Sequence, residues 1–260
     1  MLKLILFFIL SFHQVFSLEI YLLKYGESNY PARLLNSSPA RGDRPQIIWN
    51  FYLLKFGTRN VLIDTGTDDK LMIQRFGIQK FKSPKNLLKE LKIDVDQITD
   101  VIITHSHFDH IGTVQDFKNA VIYINKTEYD DFKKKLEYQK QKSFFLEKEK
   151  KSEINFLSEI DLENYKFVFH DIQGHTIGSR VIELKTNNRN YLFTGDECYY
   201  LKECKEGIGL KAQAAINPKK NDLFVKELSK KFLNHFLLSL HDPEIDQKFF
   251  QIQKEIFLLK

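Results

Sequence analysis

The chain has 260 residues, a hydrophobic fraction of 43%, and no long polar low-complexity tract, so a disordered or fibrous protein is excluded and a sizeable core is expected. Much of the net charge of +5 lies between Lys126 and Lys151, where Lys and Glu alternate as on a solvated helix face. No basic motif interleaved with aromatic residues follows a nucleic-acid reader pattern, so nucleic-acid binding is not expected.

Met1-Leu2-Lys3 gives a short basic start, Leu4 to Phe12 an apolar run, and Val15-Phe16-Ser17 a cleavage-like site. Residues 1–17 therefore read as a signal peptide, with a periplasmic or secreted mature protein of residues 18–260. The competing reading is a buried first strand in a cytoplasmic protein, since Leu18 to Leu23 continues apolar. Leu4 to Phe12 is short for a bilayer span and no other stretch is long and apolar enough, so stable membrane insertion is not expected.

Gly26 to Pro45 is rich in Asn, Ser, Pro and Arg, without periodicity. Ile47 to Phe56 reads as a strand, Gly57-Thr58-Arg59-Asn60 as a turn, and Val61 to Ile63 as the returning strand, closed by Asp64-Thr65-Gly66. Ser83 caps a helix with Pro84 in its first position and Leu87, Leu88 and Leu91 on one face. Val101 to Ile103 and Ala120 to Ile124 are short buried strands. Residues 127–157 form a charged segment of one or two helices. Tyr165 to Phe169 is a strand; Val181 to Leu184 and Tyr191 to Phe193 form a hairpin across Asn187-Asn188. Asp222 is expected to cap a helix with an apolar stripe of Val225, Leu228 and Phe232. Phe236 to Leu240 is the last internal strand. Two rounds of strands followed by a helix imply an α+β fold, two sheets face to face with helices outside. Cys198 and Cys204 would pair in an exported protein or stand as unrelated thiols; neither lies in a metal-binding Cys pattern.

The strongest chemical signal is Thr104-His105-Ser106-His107-Phe108-Asp109-His110, directly after a buried strand. Alternate side chains of an extended chain point the same way, so His105 and His107 can reach one cation. Asp109 and His110 fall where the chain turns toward Gly112 and can reach a second. Imidazole and carboxylate suit zinc and similar divalent ions. His175 in Gly174-His175-Thr176, Asp196 in Thr194-Gly195-Asp196, and His241 in Leu240-His241-Asp242-Pro243 each appear where an apolar strand gives out, at a rim of loops. His13, His170 and His235 do not, and are assigned to the signal peptide, the surface, and the surface or core.

This order resembles the metallo-β-lactamase superfamily over nearly all of residues 18–260, through Leu62-Ile63-Asp64-Thr65-Gly66, the His105 to His110 motif, Gly174-His175-Thr176-Ile177-Gly178-Ser179, Thr194-Gly195-Asp196 and His241. The resemblance implies a four-layer αββα sandwich. It also implies two divalent metal ions, zinc first: one on His105, His107 and His175, the other on Asp109, His110 and His241, with Asp196 bridging and Asp64 a support behind the ligands. Within the superfamily the chain is most similar to the N-acyl homoserine lactonases. The carriers are the strand-turn-strand layout of Trp49 to Gly66, Lys126-Thr127-Glu128-Tyr129 after the metal motif, Tyr199 three residues beyond Asp196, and His241-Asp242. Ile177 in place of a Pro, Leu240 in place of a Gly, and the expected export depart from that family.

The resemblance implies a lactone or ester as the small-molecule substrate. Two ions ~3.5–4 Å apart share one water and lower its pKa to about 7, giving a bridging hydroxide that attacks the lactone carbonyl. Tyr199 would donate to the oxyanion and Asp109 would shuttle a proton to the departing alkoxide. Tyr30, Leu34, Leu35, Phe144 and Phe145 are candidates for the apolar wall of an acyl pocket. The alternatives are another hydrolase on the same cage (a glyoxalase II-like thioesterase, a β-lactamase or a phosphodiesterase) and a binding module without catalysis. A glyoxalase II-like enzyme normally extends further in helices beyond the position of His241, and a binding module normally lacks ligands that are all present here.

Overall fold

A computed structural model describes residues 17–29 and 47–259. The expected signal peptide, apart from Ser17, and the wall candidates Tyr30, Leu34 and Leu35 lie outside the described residues.

Strands β1 (Glu19–Ser28), β2 (Ile47–Phe56) and β3 (Arg59–Ile63) form an antiparallel meander. Next to β3, in parallel, come β4 (Asp100–Ile102), β5 (Val121–Tyr123) and the two-residue β6 (Ile154–Asn155). The last two strands of the chain, β12 (Phe249–Gln253) and β13 (Ile256–Leu259), return to the other side of β1 and complete an eight-stranded mixed sheet. The second sheet has five strands: β7 (Glu159–Leu162), β8 (Tyr165–Asp171), β9 (Arg180–Lys185) and β10 (Tyr191–Phe193), all antiparallel, and β11 (Phe236–Leu238) parallel to β10. Two mixed sheets with helices make the fold α+β, as expected.

The first sheet is buried on both faces, and its alternation shows how. Ile48, Tyr52, Leu54 and Phe56 of β2 join one apolar cluster, whereas Ile47, Trp49, Phe51 and Leu53 join the other. The even-numbered face meets the second sheet, with Tyr52 edge-on to Phe193 at 5.1 Å and Phe56 6.4 Å from Phe167. The odd-numbered face is covered by helices. Helix α1 (Lys70–Arg75) and helix α2 (Pro84–Glu90) follow β3. In α2 the Ser83 hydroxyl accepts from the Asn86 N–H, Pro84 opens the helix, and Leu87 and Leu88 are buried. The short α3 (Phe108–Ile111) carries part of the metal motif. The charged segment becomes α4 (Lys126–Lys134) and α5 (Gln139–Lys150), and its tail becomes the edge strand β6. After α6 (Leu201–Lys205), α7 (Pro218–Lys231) buries Phe224, Val225 and Leu228. Among the described residues no helix is long and apolar enough to cross a membrane.

Three expectations are corrected. Helix α7 is capped by Asn217, whose side chain accepts from the Lys220 N–H, and Asp222 lies inside the helix; Pro218, with φ fixed and no N–H to satisfy, starts the helix earlier. The last strand of the second sheet stops at Leu238, because the Ser239 hydroxyl turns the chain by accepting from the N–H groups of His241 and Asp242. Phe144 and Phe145 are core residues packed with Phe132, not pocket wall.

Cys198 and Cys204 form a disulfide. It closes a short loop, six residues in sequence separation, that carries Tyr199 and most of α6. Replacing both cysteines by Ser should lower the unfolding free energy by roughly 2 kcal/mol through loop-closure entropy. A urea midpoint identical to wild type under oxidising conditions would show that the bridge contributes nothing.

Candidate metal centre

Parallel pairing of β3 with β4, and of β10 with β11, puts the carboxyl ends of each pair at one rim. From that rim the chain delivers Asp64 after β3, the His105 to His110 motif after β4, Asp196 after β10 and His241 after β11. The loop between β8 and β9 adds His175. The backbone is bent to suit. Asp64 takes φ +60°, a conformation that Asp tolerates better than most residues. Gly195 takes φ +52° just before Asp196, with the Thr104 side chain about 3 Å from where a Cβ would stand.

All seven predicted side chains meet, in two groups that could each hold a cation: His105, His107, His175 and Asp196, and Asp109, His110, Asp196 and His241. His107 Nδ1 lies 3.0 Å from His105 Nε2 and 2.9 Å from His175 Nε2. Asp196 belongs to both groups through different oxygens. Its Oδ2 stands 3.4 Å from His175 Nε2 and 3.8 Å from His105 Nε2, while its Oδ1 stands 3.1 Å from His110 Nε2 and 3.2 Å from His241 Nε2. Asp109 Oδ2 closes the second group at 3.2 Å from His110 and 3.3 Å from His241.

The remote ring nitrogens fix which atom faces inward. His175 Nδ1 donates to the Ala214 carbonyl at 2.6 Å, His241 Nδ1 to the Ile48 carbonyl at 2.9 Å, and His110 Nδ1 to Asp64 Oδ2 at 2.7 Å. Each Nε2 therefore faces the centre, where it offers a lone pair whenever the ring is neutral. His110 Nε2 and Asp196 Oδ1 are fully buried and crowd one another at 3.1 Å, yet neither makes a hydrogen bond of good geometry. Buried imidazole and carboxylate atoms gathered in this way without proper hydrogen bonds fit divalent cations of the zinc type. Asp64 also accepts from the Thr104 N–H at 2.8 Å and hydroxyl at 2.7 Å, which makes it a support for His110 rather than a member of either group.

Tyr199 lies beside the cage. Its ring stacks on His241 at 5.1 Å and its hydroxyl donates to Asp196 Oδ2 at 2.8 Å. A cavity of about 350 Å³ opens over the cage, with Ile47, Trp49, Met72, Phe76, Phe108 and Tyr138 as its apolar wall. The sequence does not reveal that wall, since Trp49 and Phe108 read there only as strand and motif residues. Two carboxylates also escape sequence reasoning. Glu128 and Glu197 are buried and hold the turns that bear the histidines; Glu197 accepts from the N–H groups of Gly174 and His175, each at 3.0 Å, and from Asn221 Nδ2 at 2.7 Å. Glu128 sits in a motif quoted for resemblance, but a lone Glu in a Lys-rich helix carries no burial signal. His170 and His235 stay outside the centre and both donate to Glu183, at 2.9 Å each.

The sequence profile of the Metallo-beta-lactamase superfamily matches residues 48–203. The chain belongs to this superfamily. Solved structures share the fold at low identity. One, presented as that of a probable metal-dependent hydrolase from Staphylococcus aureus, is 16% identical at a TM-score of 0.70, over 88% of this chain and 91% of that one. An N-acyl homoserine lactone lactonase structure is 21% identical at 0.69, over 86% and 92%. The B. thuringiensis protein AiiA, in a mutant form with N-decanoyl-L-homoserine bound at its active site, is 20% identical at 0.69, over 88% and 95%. A curated relative, an RNase J-like protein of Methanocaldococcus jannaschii, is 29% identical over 113 residues, which is 40% of this chain and only 27% of that protein.

In this metallo-β-lactamase superfamily chain the cage settles its charge by drawing protons. Burial opposes a charged His241, but Asp196 and Asp109 outweigh burial and push its pKa up to about 9. Burial also opposes a charged His110, and Asp109, Asp196 and Asp64 raise it well above the ordinary imidazole value. His107 is driven down to about 3 by burial and by His175. For Asp196, burial alone would raise the pKa, but His110 and His241 hold it well below the usual carboxylate range. His241 thus stabilises the cation-free fold fully below its unfolded value of 6.5, and that contribution is lost as pH rises through about 9. Chelator-treated protein should therefore denature at lower urea at pH 9 than at pH 6.5, and divalent cations should remove the difference by replacing the protons. Equal midpoints across that window in the chelated protein would contradict this charge balance.

Proposed function

We propose that the chain is a dinuclear metal-dependent hydrolase that opens lactones of the N-acyl homoserine lactone type. The two-cation reading rests on one observation above all: the two oxygens of Asp196 face two different histidine groups. His105, His107 and His175 would hold one cation and Asp109, His110 and His241 the other, with zinc favoured by the donor set. Such a pair, when bound, supplies Lewis acidity and a nucleophile derived from water at neutral pH.

The chain's own residues do the rest. Asp196 and the pinned imidazoles fix the reacting centre without rearrangement, the condition under which electrostatic stabilisation is strongest. The Tyr199 hydroxyl lies beside the cage and is positioned to turn its proton toward the oxyanion that forms on the substrate carbonyl. Asp109, which lines the same cavity, would take the proton that the attacking water gives up and pass it to the departing alkoxide. The aromatic wall takes an acyl chain and keeps water from the bond being cleaved. The likeness to lactonase structures supports this substrate class. Export is proposed with it: the pattern of residues 1–17 supports it, and so does a disulfide suited to an oxidising compartment.

The test compares N-acyl homoserine lactones, S-lactoylglutathione, nitrocefin and bis-p-nitrophenyl phosphate on one preparation. Lactones should turn over fastest, activity should vanish on chelation and return with zinc, and Tyr199→Phe should lower kcat about 100-fold. Lactones slowest in the panel would overturn the substrate reading, and unchanged turnover in Tyr199→Phe would remove that residue from the mechanism.

A further inference from the structure

Glu128, in the first turn of α4, is completely excluded from solvent. One carboxylate oxygen accepts from the Ser106 N–H at 2.8 Å and the Ser106 hydroxyl at 2.5 Å. The other accepts from the Thr176 hydroxyl at 2.7 Å and the Gly178 N–H at 2.9 Å. Ser106 separates His105 from His107, and Thr176 follows His175. A single side chain thus ties together the two turns that carry one histidine trio, and these hydrogen bonds reach neither the other trio, Asp109, His110 and His241, nor the backbone beside it. The approach is close: a Cβ on Gly178 would stand 2.5 Å from the Glu128 nitrogen, so only glycine fits there. Asp64 is the counterpart. It holds His110 directly and reaches the first trio indirectly, through Thr104, which donates its N–H and hydroxyl to Asp64 and whose hydroxyl lies 3.1 Å from His105 Nδ1.

We propose that Glu128 is a positioning residue that sets the cation affinity of the His105–His107–His175 site selectively, leaving the Asp109–His110–His241 site to Asp64. The proposal rests on the two-cation reading of the cage. Its physical basis is the count of donors. Four donors meet two carboxylate oxygens, and two of the four are backbone N–H groups that cannot rotate away. In Glu128→Gln one oxygen becomes an NH₂ group that faces either Ser106 or the Thr176–Gly178 pair. The backbone N–H on that side then loses its acceptor in a buried place, and the turn it belongs to is released. Outer hydrogen-bond partners of metal ligands typically govern affinity by about 10- to 100-fold. At limiting metal the variant should hold one cation, in the site that Glu128 does not touch.

The experiment titrates chelator-stripped full-length chain with zinc chloride in a calorimeter. His107→Ala and His241→Ala serve as markers that assign each binding event to its trio. Wild type should show two events. Glu128→Gln should weaken the event lost in His107→Ala by about 10- to 100-fold and spare the event lost in His241→Ala. Thr176→Val, which removes one donor and keeps the shape, should weaken the same event by less, with a cation-free melting curve close to wild type; it decides the matter alone if Glu128→Gln fails to fold. Weakening of both events alike, of the event lost in His241→Ala, or of neither would overturn the proposal while leaving the two-cation reading intact. Fewer than two events in wild type would overturn that reading and the proposal with it.

Discussion

Asp109 and Asp196 are buried among five imidazoles, and this convergence of unlike charges out of water is the constraint to which the rest of the fold answers. An isolated buried carboxylate is too costly to keep ionised, so each must face positive charge at close range. Protons on His110 and His241 can supply that charge, and cations can supply it more completely. The choice between them links metal loading to the stability of the fold, because the cage is made from the ends of core strands and cannot loosen without disturbing both sheets.

The two sheets are tied together at the point where the cage needs rigidity. Strand β2 lies against the second sheet, and three of its residues reach across to the turn after β11. The Ile48 N–H donates to the His241 carbonyl at 3.1 Å, Asn50 Nδ2 to the Leu240 carbonyl at 2.6 Å, and the Tyr52 hydroxyl to the Ser239 carbonyl at 2.5 Å. His241 is therefore held by the first sheet although it follows a strand of the second. Leu240, one of the two departures from the lactonase pattern in the sequence, is fully buried and packs in the cluster between the sheets. Ile177, the other departure, is exposed, and Glu128 and Glu197 hold the His175 turn from behind. Leu240 is accommodated in the core and Ile177 at the surface, and the seven side chains of the cage still meet.

Much of the fold and nearly all of the cage were legible in the sequence, for specific reasons. His105 and His107 alternate on an extended segment, so their convergence follows from strand geometry alone. His175, Asp196 and His241 each end an apolar run, and the parallel neighbours then bring those ends to one rim. What escaped depends on contacts distant in sequence. The burial of Glu128 is decided by the turns at Ser106 and Gly178, which no local pattern in a Lys-rich helix reveals. Strands β12 and β13 join β1 at the opposite end of the chain, and their weak alternation was no match for that long-range register. Phe144 and Phe145 looked like pocket wall by composition, but the helix they share turns them into the core beside Phe132. Asn217 took the cap from Asp222 because Pro218 fixes the helix start.

Two cations sharing Asp196 are the centre on which the proposed chemistry depends. Crystals grown with zinc and measured at its absorption edge would show this most directly. The expected result is two anomalous peaks, one among His105, His107 and His175 and one among Asp109, His110 and His241, with an oxygen of Asp196 toward each. A single peak, or peaks away from Asp196, would contradict it.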